Sequence, residues 1–235
     1  MALSGQNPYL IYRFNNPPWA LLPLLPFALF PESTGAILYF IFSFFLYAYC
    51  AYKLKAEPLA FVAFMLSSPV LYGLYRLNID ALVLFGFILP APIGLFFVVL
   101  KPQMGGAMAI FWLVKAWKTG GLKSVIITFG PVTIAFGLSF VLFGNWITDG
   151  PSENLLGAVW NTSLWPWAIP IGLALLFVSL RDMRPGFAIA ASPFLSPYLA
   201  YYSWVGVLAG FLEYEYILVV AVAGMWAAQI ILFWH

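Results

Sequence analysis

The stretch Asp80–Gln103 reads DALVLFGFILPAPIGLFFVVLKPQ, and the way it is read decides the fold. Ala81–Leu100 carries no charge and has the length of one membrane-crossing helix, about 20 residues. Two features argue against a single helix. Pro90 and Pro92 fall near its middle, where each removes a backbone donor and obstructs the preceding turn. A single crossing would also place Lys101 inside and Lys115–Lys123 outside, against the tendency of basic loops to face the cytoplasm. The stretch is therefore read as two short helices, Asp80–Leu89 and Ile93–Leu100, that return to the outer side at Lys101-Pro102-Gln103. Broken helices at membrane depth survive only where protein buries them or water reaches them.

The rest of the chain has the same character. Hydrophobic residues make up 64% of the sequence and charged residues 8%, with a mean hydropathy of +0.96. This composition excludes an ordinary soluble domain. The alternating segments of a transmembrane barrel are not seen. The expectation is an all-α, multi-pass helical integral membrane protein with short broken helices, forming one transmembrane domain over residues 1–235.

Along the chain, Trp19–Phe30 reads as a short or broken helix after Pro17-Pro18, and Thr34–Leu54 as a full span. Pro58–Leu74 returns outward. After the hairpin come Met104–Trp117, Ser124–Phe143, Leu164–Leu180, Gly186–Leu195, Tyr198–Leu212 and Tyr216–Trp234. That makes about ten hydrophobic segments, several too short to span alone. Met1–Asn16 is polar and turn-rich, unlike a cleavable signal peptide.

Charge sets the expected orientation. The basic clusters Lys53 and Lys55, then Lys115, Lys118 and Lys123, then Arg181 and Arg184 are assigned to the cytoplasmic face of the cell membrane. Asp149 and Glu153 fall on the opposite face. The net charge of +2 gives no reason to expect a nucleic-acid partner. Cys50 is the only cysteine, so no internal disulfide or thiolate cluster forms, and it reads as a small packing residue. With His235 as the only histidine, a histidine-based metal site is unsupported. No Gly-rich phosphate loop and no Ser-His-Asp set can be assembled. No metal and no cofactor is expected. Asn161-Thr162-Ser163 matches a glycosylation acceptor pattern, and Gly206-x-x-x-Gly210 suits close helix packing.

Arg76, Asp80 and Lys101 are the only charges between Glu57 and Lys115. Charge at membrane depth is expensive and usually lines a cavity or a substrate path. Asp80 at a helix start satisfies orphan backbone donors and suits the helix dipole, and an Arg76–Asp80 ion pair is one expected arrangement. The functional alternative is a polar cavity rim of Arg76, Asn78 and Asp80, with Arg76 directed at a phosphate. Lys101 either snorkels to an interface or supplies a second cation to the same anion site, beside Gln103.

Three stretches together resemble one family. Gly5-Gln6-Asn7-Pro8-Tyr9, Phe14-Asn15-Asn16-Pro17-Pro18-Trp19 and the apolar Pro26–Pro31 look like the opening of GT-C-type membrane glycosyltransferases. These enzymes use polyprenyl-phosphate-linked sugars, and the likeness is to the bacterial mannosyltransferase-like group. Asn78-Ile79-Asp80 through Lys101-Pro102-Gln103 is similar to that family's polar helix start, short hairpin and Lys-Pro element. Ser196-Pro197-Tyr198 through Trp204-Val205 resembles a segment that opens Ser-Pro and often carries Asp-His-His before Trp. There are departures. The family's catalytic aspartate lies upstream of the Gly-x-x-Pro-Tyr element and has no counterpart in this sequence. Tyr201, Tyr202 and Ser203 stand where Asp-His-His would be, and the large extramembrane domain of some relatives is absent.

The resemblance implies transfer of a sugar from a polyprenyl phosphate to an acceptor hydroxyl. A carboxylate deprotonates that hydroxyl, the anomeric carbon is attacked, and the lipid phosphate leaves. Arg76 and Lys101 are then the candidate phosphate ligands, with Asn78, Gln103, Tyr201 and Tyr202 lining the cavity. Asp80 is the only internal candidate for the base. The departures point to impaired or lost catalysis. The alternative is a non-catalytic accessory subunit of a larger membrane complex. The implied partners are membrane lipids, a polyprenyl-phosphate sugar and other membrane subunits.

Overall fold

The computed structural model describes residues 9, 14, 16–147 and 157–233. Of the sequence features above, Gly5–Pro8, Asn15, Asp149, Glu153, Trp234 and His235 lie outside the described residues. The described chain is all-helical, and its only β-type pairing is an isolated bridge between Asn161 and Ala200.

A 3-10 helix, Pro18–Leu24, runs into the single turn α1, Leu25–Ala28. Helix α2 spans Glu32–Lys53 and carries Glu32 in its first turn and Lys53 in its last, each matched to the helix dipole. The expected span Pro58–Leu74 is in fact two helices, α3 (Pro58–Met65) and α4 (Ser68–Tyr75), bent by 44°. The cause is local. Pro69 has no N–H to give the Met65 carbonyl, so the helix stops and restarts with the proline in its first turn, where no donor is needed. Ser67 takes an extended conformation at the break, and its hydroxyl donates to the Phe64 carbonyl at 2.6 Å.

The decisive stretch is a helical hairpin. Helix α5 spans Asp80–Ile88 and α6 spans Ala91–Val98, with Leu89 extended before Pro90. Helix α7 then covers Pro102–Phe143, but Gly120 and Gly121 inside it are not helical. Gly121 has φ 58° and ψ −147°, a conformation open essentially to glycine alone. In one straight helix Gly105 and Phe136 would be about 46 Å apart. Yet Gly105 lies against Val98, and the Trp19 ring touches both Phe96 and Phe136, with centroids 5.8 and 4.9 Å away. The chain therefore doubles back at Gly120–Gly121. The two arms correspond to the separate segments Met104–Trp117 and Ser124–Phe143 read from the sequence.

Helix α8 spans Ile169–Asp182 and starts later than the expected Leu164, because Thr162 and Ser163 are tethered to Leu199 and Ser196. Helix α9 spans Pro185–Leu195 and packs against α7, α8 and α10. The expected segment Tyr198–Leu212 is reduced to a 3-10 turn, Tyr201–Trp204, and the short α10, Val205–Gly210. Helix α11 spans Glu215–Phe233. The Gly206-x-x-x-Gly210 pattern serves internal packing. A side chain on Gly206 would meet Met104 at 3.2 Å, and one on Gly210 would meet the Ala190 side chain at 2.7 Å and run into the Gly186 carbonyl.

Helices α2 and α7 are long and apolar enough to cross a membrane, and the bent pair α3–α4 would make a third crossing if it acts as one. Their outward faces carry exposed apolar side chains such as Ile37, Phe45, Ile126 and Val141. The three basic clusters converge on one end of the bundle. The Lys118 ammonium donates to the Leu180 carbonyl at 3.4 Å, beside Arg181. Arg184 donates to the Tyr214 hydroxyl at 2.8 Å. Glu57, next to the Lys53–Lys55 turn, lines a surface pocket with Glu213, Tyr214 and Glu215.

Candidate functional site

The polar cluster is built on the turn between α4 and α5. Leu77 adopts a left-handed φ of 50°, which is uncommon for a branched side chain. The Asn78 N–H then reaches back to the Gly73 carbonyl at 3.0 Å, and Leu77 N–H to Leu74 at 3.1 Å, closing the end of α4 in a Schellman-type arrangement. The Tyr39 hydroxyl on α2 donates to the Asn78 carbonyl at 3.1 Å and anchors the turn. Two residues later Asp80 begins α5.

The feet of the hairpin meet here. Lys101 precedes α7, and its ammonium pairs with Asp80 Oδ1 and donates to Asn78 Oδ1 at 2.5 Å. It also lies 4.5 Å from the centre of the Tyr202 ring, within cation–π range. Ser203 donates from its hydroxyl to Asp80 Oδ2 at 3.2 Å. Asp80 is 0% exposed and Lys101 8%. A buried ion pair repays desolvation only when the remaining polar atoms are also bonded, and Asn78, Ser203 and Tyr202 supply those contacts.

An aromatic wall continues outward. The hydroxyls of Ser68 and Tyr201 share a 2.5 Å hydrogen bond. The Tyr72 ring packs against Tyr75, Tyr201 and Tyr202 at centroid distances of 6.4, 6.2 and 6.0 Å. Arg76 ends α4 at this rim and is exposed.

Asn78, Asp80, Lys101 and Tyr202, named from separated parts of the sequence, thus come into direct contact, and Tyr201 sits in the adjoining wall. Two expectations are corrected. Asp80 pairs with Lys101 and not with Arg76, because Arg76 lies at the rim whereas Asp80 faces the interior. Asp80 is also not the cap of α5. Ile79 holds that position, and Asp80 is the first helical residue, where its charge still suits the dipole. Gln103 sits in the first turn of α7, and its side-chain carbonyl oxygen is buried without a hydrogen-bond partner.

The contributions of Ser68, Tyr72 and Ser203 were not legible in the sequence. Serine and tyrosine in apolar runs carry no spacing signal, and only the fold brings them to the charges. Asn161 also takes a role that the acceptor triplet does not suggest. Its side-chain oxygen accepts from the N–H groups of Leu199 at 2.9 Å and Ser163 at 3.0 Å, and its amide donates to the Pro197 carbonyl at 3.3 Å. With the Trp204 indole donating to Thr162 at 3.0 Å, this clamp holds the segment that carries Tyr201–Ser203.

Chemically, the cluster offers a neutralised charge pair inside and a cation with aromatic rings outside. Both Asp80 oxygens are engaged, one by Lys101 and one by Ser203. Among the described residues no group of three or more metal-ligating side chains occurs. No family model matches the chain, and no curated protein or solved structure is detectably similar to it.

Proposed function

We propose that this chain is a multi-pass protein of the cell membrane with a GT-C-like core, whose polar cluster at the feet of the hairpin receives the phosphate of a polyprenyl-phosphate-linked sugar. The observation that carries the reading is the gathering of Asn78, Asp80, Lys101 and Tyr202 at the feet of a broken-helix hairpin, with Arg76 exposed at the rim. Apolar side chains on the outward faces of α2 and α7 support the membrane setting. The charge rule then turns the end bearing Lys55, Lys118 and Arg184 toward the cytoplasm. Arg76 makes first contact with the phosphate through its forked donors. Tyr72 and Tyr75 flank that contact. Below it Lys101 is neutralised by Asp80, so Arg76 is the cation that the phosphate meets. Sugar transfer needs a free carboxylate to take the acceptor proton, and Asp80 has both oxygens occupied. The chain therefore binds the lipid-linked donor with impaired or lost catalysis.

A second reading rests on the same pair. Asp80 and Lys101 cancel one another, as expected of a lock that pins the hairpin to the Tyr201–Trp204 turn. An accessory subunit of a larger membrane complex needs such a lock and no ligand.

Native mass spectrometry after gentle extraction tests both. A polyprenyl phosphate retained by the wild type and lost from Arg76→Ala supports the lipid-phosphate site. Equal retention by Arg76→Ala sinks it. A fixed stoichiometry with other membrane proteins and no such lipid selects the accessory role.

A further inference from the structure

A cavity opens at the basic end of the bundle, around the tip of the hairpin whose feet carry Asp80 and Lys101. It measures about 380 Å³, within the range of small-molecule sites. The tip of the hairpin, Leu89-Pro90-Ala91, forms one wall, and the Met183–Pro185 turn another. Its floor is apolar and comes from Phe87, Met108, Phe111 and Trp112. Its rim is polar, with Lys115, Thr119 and Ser124 around the Gly120–Gly121 reversal.

Lys115 is the one charged side chain among the residues that line this cavity. No acidic residue lines it. Lys118 lies next to the rim, tied to the Leu180 carbonyl, and Lys123 follows on the second arm. Asp182 is nearby but is engaged by Arg181 through two bonds of 2.6 and 2.9 Å. The Lys115 ammonium has no hydrogen-bond or ion-pair partner among the described residues and is exposed.

We infer that this cavity seats an anionic phospholipid, with the headgroup phosphate at Lys115 and the first acyl carbons over the Phe111–Trp112 floor. An aromatic floor gives nothing to a free phosphate, and an unopposed ammonium gives little to a zwitterionic headgroup. Only an amphiphile with net negative charge uses both halves. The position agrees, since the basic end is where an anionic leaflet surface attracts lysines. The site rests on the membrane reading proposed above but uses none of the residues of the Asp80–Lys101 cluster.

The test places the protein in nanodiscs of equal phosphatidylglycerol and phosphatidylcholine and reads the retained lipid by native mass spectrometry. The wild type retains phosphatidylglycerol preferentially. Lys115→Ala lowers that retention about fivefold, the factor for one lysine at an anionic surface. Ser124→Phe fills the cavity and displaces the lipid, whereas Val159→Ala, fully exposed and outside the cavity, leaves phosphatidylglycerol retention unchanged. Wild-type retention in both Lys115→Ala and Ser124→Phe overturns the inference. Equal retention of the two lipids by the wild type overturns it as well, as does displacement of the lipid by millimolar inorganic phosphate. A chain that stays soluble without detergent or bilayer overturns instead the membrane reading on which the site rests. Loss of polyprenyl phosphate binding alone leaves this site standing.

Discussion

Asp80 and Lys101 stand at the two feet of the α5–α6 hairpin and neutralise each other across it. One charge begins the hairpin and the other leaves it, so a loop of apolar chain enters and exits the interior through a single ion pair. Asn78, Ser203 and Tyr202 close the remaining contacts.

Removing one partner leaves the other buried and unpaired. Lys101→Met or Asp80→Asn alone should destabilise the protein by about 3–5 kcal/mol. The double substitution should cost less than the sum, because no buried charge remains. Thermal unfolding in detergent of the four members of a double-mutant cycle checks this. Strict additivity would mean that the two side chains are not coupled.

Ser203→Ala removes the one hydroxyl that satisfies Asp80 Oδ2. A hydrogen bond to a charged group contributes about 1.5–3 kcal/mol, and the loss should be of that size. Ser203→Thr keeps a hydroxyl and should recover part of it. If Ser203→Ala unfolds at the wild-type temperature, the contact contributes nothing.

Gly121 is held at φ 58° and ψ −147° where the α7 arms reverse. An added Cβ meets no neighbouring atom, so the penalty of Gly121→Ala is purely conformational. The expected loss is about 1–3 kcal/mol, read as a lower melting temperature. Gly120→Ala would instead meet the Ser124 side chain at 2.9 Å. An unchanged melting temperature for Gly121→Ala would show that the arms do not reverse through this conformation.

Labelling from the two sides of a sealed vesicle tests the orientation. In a Cys50→Ser background, cysteines at Lys55, Lys118 and Arg184 should react from one side, because the fold brings all three to one end. Val159→Cys, fully exposed in the loop before Asn161, should react from the other. Mixed accessibility within the first three would refute a common basic face.

Much of the architecture was legible from local chemistry. Pro90 and Pro92 cannot continue a helix, and an apolar run broken there has to turn. The basic residues mark segment ends because they are too costly to bury unpaired. These are properties of a residue and its near neighbours, so the sequence by itself determined the helical class, the hairpin and the candidates Asn78, Asp80 and Lys101. Partner choice was a different matter. Arg76 is closer in sequence to Asp80 than Lys101 is, yet the left-handed turn at Leu77 leaves Arg76 at the rim and Asp80 facing inward. The late start of α8 and the meeting of Ser203 with Asp80 likewise depend on contacts between remote segments, above all the clamp at Asn161. Only the tertiary structure decided these, because the energy of a buried charge depends on which groups the fold brings within hydrogen-bond reach, and that distance is not written in spacing along the chain.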